Sequence, residues 1–184
     1  MKKLYHGTIY DFDKIDVTAG KGYKDFGKGF YATAVQSHAD RLAIRNKRIA
    51  EKRQRFLEGK KGVDIRPIFA YRYNLVFNEE TVGLKIKTFQ KADKEWLRFI
   101  VENRRLDGCT HDYDIVIGPT ADAETTTLIN EYYEELIDSR FSDEVCEEVI
   151  EQLKPENLPK QYFFRTEDAI STLDFDRVKR QVVG

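Results

Sequence analysis

Tyr23-Lys24-Asp25-Phe26-Gly27-Lys28-Gly29-Phe30-Tyr31-Ala32-Thr33, read together with Leu4-Tyr5-His6-Gly7-Thr8 near the start, decides how this chain is read. The longer stretch is a glycine-spaced loop that runs into an aromatic strand. The shorter is a strand that ends in a histidine beside glycine. Glycine lets the backbone approach a ligand closely and take φ > 0. Tyr31 offers a flat ring for stacking, and His6 an imidazole that donates or accepts hydrogen bonds. No G-x-G-x-x-G follows the first strand, so a nucleotide bound here would be held in some way other than on a Rossmann turn.

The rest of the chain is read outward from these two stretches. A chain of 184 residues, 41% hydrophobic and 34% charged, suits one globular domain spanning residues 1–184 with a real core. No apolar run approaches the roughly 20 residues of a membrane span. Met1-Lys2-Lys3-Leu4 is basic but leads into no apolar segment, so no secretion signal is read. Cys109 and Cys146 show no C-x-x-C spacing and are expected as reduced, packed thiols in a cytoplasmic protein. Charge is uneven: Arg41 to Arg66 holds ten Lys or Arg against three acids, and Asp122 to Glu156 twelve acids against two bases. This reads either as two solvated helical faces or as a face for a partner of opposite sign.

Strand signals cover Lys3 to His6, Phe30 to Ala34, Ile65 to Phe77, Tyr113 to Ile117, Gln161 to Arg165 and Arg177 to Val183. Helical spacing covers Ser37 to Leu57, Ala92 to Arg105, Thr125 to Ile137 and Ser142 to Leu153, with a small helix capped by Thr166. Ser37 and Ser142 are expected as N-caps, Gly59 and Gly62 as a helix stop, and Gly118-Pro119 as the turn that closes the strand ending at Ile117. Trp96, with Phe99 and Ile100, is expected in the core, and Asp114 and Asp122 in turns or caps. Gly7 to Gly29 is a long loop, and its length and glycines suggest a mobile lid from Ile9 to Lys28. Irregular interposition of helices and strands indicates α+β.

The His6-Gly7 pair and the Gly27-Lys28-Gly29-Phe30-Tyr31 strand resemble the nicotinamide-binding half of ADP-ribosyltransferases of the poly(ADP-ribose) polymerase and diphtheria-toxin type. With Glu95 to Arg105, Tyr113 to Asp122 and Gln161 to Thr166 in the same order, the chain resembles a bacterial family of unknown function related to those enzymes and often encoded beside a small partner, as in toxin–antitoxin pairs. The resemblance implies two small packed, mostly antiparallel sheets flanked by helices, with an NAD cleft between them. It implies a mono-ADP-ribosyltransferase that cleaves the nicotinamide glycosidic bond, acting as an intracellular toxin on an unidentified macromolecular acceptor. NAD is then a substrate, no metal is implied, and an antitoxin-like protein is the implied partner.

Residue by residue, the resemblance makes His6, Tyr31 and Gln161 the catalytic positions. His6, Gly7, Thr8, Gly29, Phe30, Tyr31 and Leu42 are the NAD-binding ones. His6 would bond the adenosine-side ribose, the Gly7 backbone the nicotinamide amide, and Tyr31 would stack under the ring, the three site side chains converging on one pocket. Gln161 stands where polymerases have Glu, and Leu42 where a second stacking aromatic is usual. Glutamine can orient a ribose hydroxyl but cannot act as a base, so a single ADP-ribose unit is the expected product, and Gln161→Glu is expected to preserve or raise turnover. Two other readings stay open: an NAD or ADP-ribose binder without turnover, and an RNA-directed enzyme of the same fold using the basic Arg41 to Arg66 segment. Structural roles are open to the same residues: Tyr31 as core, Gln161 as a surface strand residue, His6 as an ordinary half-buried histidine.

Overall fold

The computed structural model describes residues 1–61, 65–105, 107–121, 123–153, 158–175 and 180–184. Among them are eight strands and six helices, an α+β chain. They group into two compact units: Met1–Ile15, Ala32–Thr81 and Thr172–Gly184 form the first, Asp16–Tyr31 and Val82–Ser171 the second. β2 (Phe30–Thr33) begins in the second unit and ends in the first.

In the first unit β1 (Lys2–Thr8) pairs antiparallel with β3 (Tyr71–Phe77) along its whole length, His6 opposite Tyr73 and Gly7 opposite Arg72. Its other edge meets β2 with Tyr5 opposite Thr33. The far edge of β3 takes β7 (Leu173–Phe175) and β8 (Gln181–Val182), both antiparallel. α1 (Gln36–Lys61) lies on β1 through Ala39 and Ala43, which are fully covered, and the core is completed by Leu4, Ile15, Tyr73, Leu75 and Phe77. The contact is close enough to dictate glycine. A Cβ on Gly7 would stand 1.9 Å from the Ala39 carbonyl oxygen. The bareness of Gly7 is therefore required by helix packing.

Several expectations shift here. α1 starts at Gln36, so Ser37 lies inside its first turn, and Val35 accepts from the His38 N–H at 3.0 Å. Gly59 does not stop the helix; one glycine costs about 1 kcal/mol, which a long helix tolerates. Gly62 lies outside the described residues, as do Asp122 and the first three residues of the strand expected from Arg177, of which Gln181–Val182 is observed. The strand expected from Ile65 begins only at Tyr71, because Pro67 has no N–H to give a ladder.

The second unit has β4 (Ile86–Thr88) parallel to β5 (Ile115–Pro119), which pairs antiparallel with β6 (Lys160–Phe164). The parallel pair makes the strand set mixed. α2 (Lys94–Arg104) forms the connection between β4 and β5 and is capped by Asp93, whose carboxylate accepts from the Trp96 N–H at 3.1 Å. Gly118-Pro119 does not close β5 but forms its last two positions, opposite Gln161 and Lys160. The expected helix from Thr125 to Ile137 is two: α3 (Ala123–Glu131) and α4 (Tyr133–Asp138). α5 (Asp143–Leu153) follows Ser142, whose hydroxyl accepts from the Val145 N–H at 3.4 Å. α6 (Glu167–Ile170) is capped by Thr166 as expected. The helices cover a core of Phe26, Phe89, Trp96, Ile100, Val116, Ile129, Leu136 and Phe163. Trp96 is fully buried with its indole N–H on the Pro119 carbonyl at 3.0 Å. No helix among the described residues is long and apolar enough to cross a membrane.

Candidate functional site

The glycine-rich stretch is built into the second unit as a fixed support. Phe26 is fully buried against Phe89, Phe99 and Phe163. Gly27 sits at φ 89°, and a Cβ there would meet the Cys109 sulfur at 2.4 Å and the Gly108 carbonyl oxygen at 2.5 Å. Both the backbone conformation and the space demand glycine. Gly22 N–H donates to Asp107 at 2.9 Å, and Lys28 N–H donates to the Gly108 carbonyl at 2.8 Å. Gly29 packs on Phe163 and the Phe164 backbone, where a Cβ would come within 2.6 Å of each. In the first unit Thr8, also covered, accepts from the Tyr10 N–H at 3.2 Å, and the Tyr73 hydroxyl accepts from the Phe12 N–H at 2.9 Å. The segment thus has fixed contacts at Phe12, at Gly22 and from Phe26 to Gly29.

Tyr31 and Gln161 meet through this support. The Tyr31 hydroxyl donates to the Gly27 carbonyl at 2.7 Å and accepts from the Phe26 N–H at 3.1 Å. Burial, with the charge of Asp25 second, pushes its pKa well above the ordinary value, so it stays protonated and a donor at neutral pH. Its ring lies 5.0 Å from that of Phe163 at 53°, and Lys24 Nζ is 6.0 Å from its centroid. Phe30, nearly buried, faces Phe164 at 6.4 Å.

Gln161, 8% exposed, donates from Nε2 to Asp25 Oδ2 at 2.7 Å and to the Pro119 carbonyl at 3.4 Å. Both amide protons point inward, so Oε1, an acceptor, is what this side chain can offer a ligand. It is a buried residue of β6 with a defined partner, not a surface strand residue.

Asp25 is the centre of the arrangement, and neither it nor Arg104 was assigned a role from sequence. Its Oδ1 accepts from Arg104 Nε at 2.9 Å and Nη2 at 2.6 Å; its Oδ2 accepts from Gln161 and from the Ala121 N–H at 3.0 Å. Arg104 also reaches the Thr126 hydroxyl at 3.1 Å. The signal was in plain view, an acid inside a glycine-rich loop and an arginine ending α2. Nothing in the spacing says that they meet.

His111 closes the other side of the support. Nε2 bonds the Phe26 carbonyl at 3.0 Å, and Nδ1 accepts from the Tyr113 N–H at 3.2 Å, which fixes the neutral tautomer with its proton on Nε2. Burial lowers its pKa. Because the unfolded chain takes up a proton near the ordinary histidine value of about 6.5 and the folded chain resists it, stability is undiminished above that pH. It falls as pH drops below it toward the lowered folded value. Denaturation midpoints at about pH 7.5 and 5.5 should differ in wild type, and the difference should shrink in His111→Gln.

The remaining predicted positions lie in the first unit. His6 is half-buried on β1, edge-on to Phe12 at 6.0 Å. Leu42 is 46% exposed on α1, to one side of the buried Ala39 and Ala43. Asp114 is a structural residue, as expected: it accepts from the Thr166 hydroxyl and the Lys85 N–H, each at 2.9 Å. Cys109 and Cys146 are free thiols, half-buried and buried. No curated protein and no solved structure matches the chain. A family model described as a protein of unknown function, DUF3990, matches residues 2–175, and the chain belongs to that family.

Proposed function

We propose that the chain is an NAD-dependent mono-ADP-ribosyltransferase. The observation that carries this reading is the tie between Tyr31 and Gln161: two positions that the motif order assigns to one site share one buried support, although Gln161 and Asp25 stand 136 residues apart. His6, Gly7, Thr8 and Leu42 enter the proposal through the motif alone. The finer fold expectation, an ADP-ribosyltransferase-like arrangement with NAD in a cleft of small sheets, belongs to the same proposal.

In this reading the nicotinamide stacks on Tyr31, and a hydroxyl of its ribose donates to Gln161 Oε1. The bond from the ribose anomeric carbon to the nicotinamide nitrogen breaks through an oxocarbenium-like state, and nicotinamide leaves with the bonding electrons. An acceptor nucleophile adds to the same carbon and gives up its proton. The protein contributes orientation and leaving-group stacking, the part of catalysis that comes from holding reactants in a reactive geometry. A carboxamide has no charge with which to activate a hydroxyl, so one ADP-ribose is added per site.

The test is incubation with NAD labelled in its adenylate half, with and without cell lysate. Label on a macromolecule is the expected result; free ADP-ribose alone would make the enzyme a hydrolase. A second reading, a binder of NAD or ADP-ribose without turnover, is favoured by the commitment of both Gln161 amide protons to Asp25 and Pro119. Calorimetric binding with no product identifies it. Tyr31→Ala should weaken NAD binding by about tenfold or more, since a stacked ring contributes on the order of 1 kcal/mol beyond its buried area.

A further inference from the structure

We propose that α1 is a docking helix for an acidic amphipathic helix of a partner protein. The helix is 26 residues long, and among its described side chains only Ala39 and Ala43 are buried; from Ile44 to Lys60 none is. Leu42, Ile49 and Phe56 are 46%, 55% and 59% exposed. They recur at the heptad interval, which places them along one side of the helix about 10.5 Å apart. Arg45 and Lys52 follow this row on one flank, Arg53 and Lys60 on the other, and Lys60 Nζ lies 4.5 Å over the Phe56 ring. The helix as a whole holds nine Lys or Arg against three Asp or Glu.

Apolar side chains at a seven-residue repeat fit the spaces between side chains on another helix. The charge ratio selects an acidic one. A second copy of α1 would set base against base. The acidic α5 of a second copy matches the charge but not the row: its exposed residues are Asp143, Glu144, Glu147, Glu148, Glu151 and Gln152, while Cys146, Val149 and Leu153 are buried in its own core. A nucleic-acid backbone has charge but no seats for three such side chains. A membrane surface calls for a continuous apolar face, and here the positions between are cationic.

The probe is a labelled four-heptad peptide with Leu at a and Glu at d, e and g, titrated with the full chain and read by fluorescence anisotropy. Binding is expected. It should weaken about tenfold or more in Leu42→Ala/Ile49→Ala/Phe56→Ala, whose thermal melt should match wild type because all three side chains are exposed. Arg45→Glu/Lys52→Glu should shift preference to the same peptide with Lys in place of Glu. The proposal is overturned by absence of binding, or by binding that neither variant changes. It is equally overturned if the chain self-associates in sedimentation and the triple variant abolishes this. Tighter binding of a 20-nucleotide RNA or of phosphatidylserine vesicles than of the peptide also overturns it. None of these outcomes depends on NAD.

Discussion

Asp25→Ala should lower the stability of the protein by about 3–5 kcal/mol, read as a shift of the denaturant midpoint at constant slope. Asp25 is 8% exposed and takes four hydrogen bonds, from Arg104 twice, from Gln161 and from the Ala121 backbone. Its removal leaves the Arg104 guanidinium, itself 19% exposed, with only Thr126 among its named partners. It also leaves two inward donors without an acceptor. Breaking a buried pair from one side costs more than the pair itself contributes. Arg104→Met in the same background should therefore restore part of the loss. The double-mutant cycle should show a coupling of about 1–3 kcal/mol, and additive losses would mean that the two side chains act separately.

Gln161→Glu should be unstable at neutral pH, which revises the expectation that it preserves turnover. Gln161 Nε2 lies 2.7 Å from Asp25 Oδ2, so the exchange sets two carboxylates against each other at that distance. One of them then keeps a proton in the folded state that it gives up in the unfolded state near the ordinary carboxylate value of about 4.3. The folded state binds more protons, so stability of this variant should fall as pH rises from about 5 to 8. Asp25→Asn/Gln161→Glu reverses donor and acceptor across the same contact but turns an amide nitrogen toward the Ala121 N–H, so only part of the stability lost in Gln161→Glu should return. Urea midpoints at the two pH values decide this; a double variant no better than the single one would show that the Arg104 and Ala121 bonds of Asp25 outweigh its contact with residue 161. The pair also gives a physical reason for glutamine at this position: beside a carboxylate in a nearly buried place, an amide can donate where a second acid would repel.

Local signals carried much of the fold. Short apolar and aromatic runs located β1, β2 and β6, alternation located β3, and Thr166 capped α6 where its side chain predicts. β4 and β7 were missed because three residues are too few to show alternation. Gly118-Pro119 read as a terminator, yet proline is tolerated at the end of a strand, and that is where β5 places it. Ser37 read as a cap because the residue type fits, but the helix begins one residue before it. At the site, Tyr31 and Gln161 were legible as residue types at strand positions. The Asp25 network was not, because a contact across 136 residues leaves no periodic trace and Asp25 alone resembles any loop acid. Length and glycine content describe a loop, while anchoring through buried Phe26 and Asp25 is a property of the fold.

Release of nicotinamide from NAD, measured for wild type, Gln161→Ala and Tyr31→Ala beside calorimetric NAD binding, tests the central claim most directly. Wild type should release nicotinamide; Gln161→Ala should lose most of that release while retaining NAD binding, and Tyr31→Ala should lose binding itself. No release by the wild type, or full release by Gln161→Ala, would contradict it.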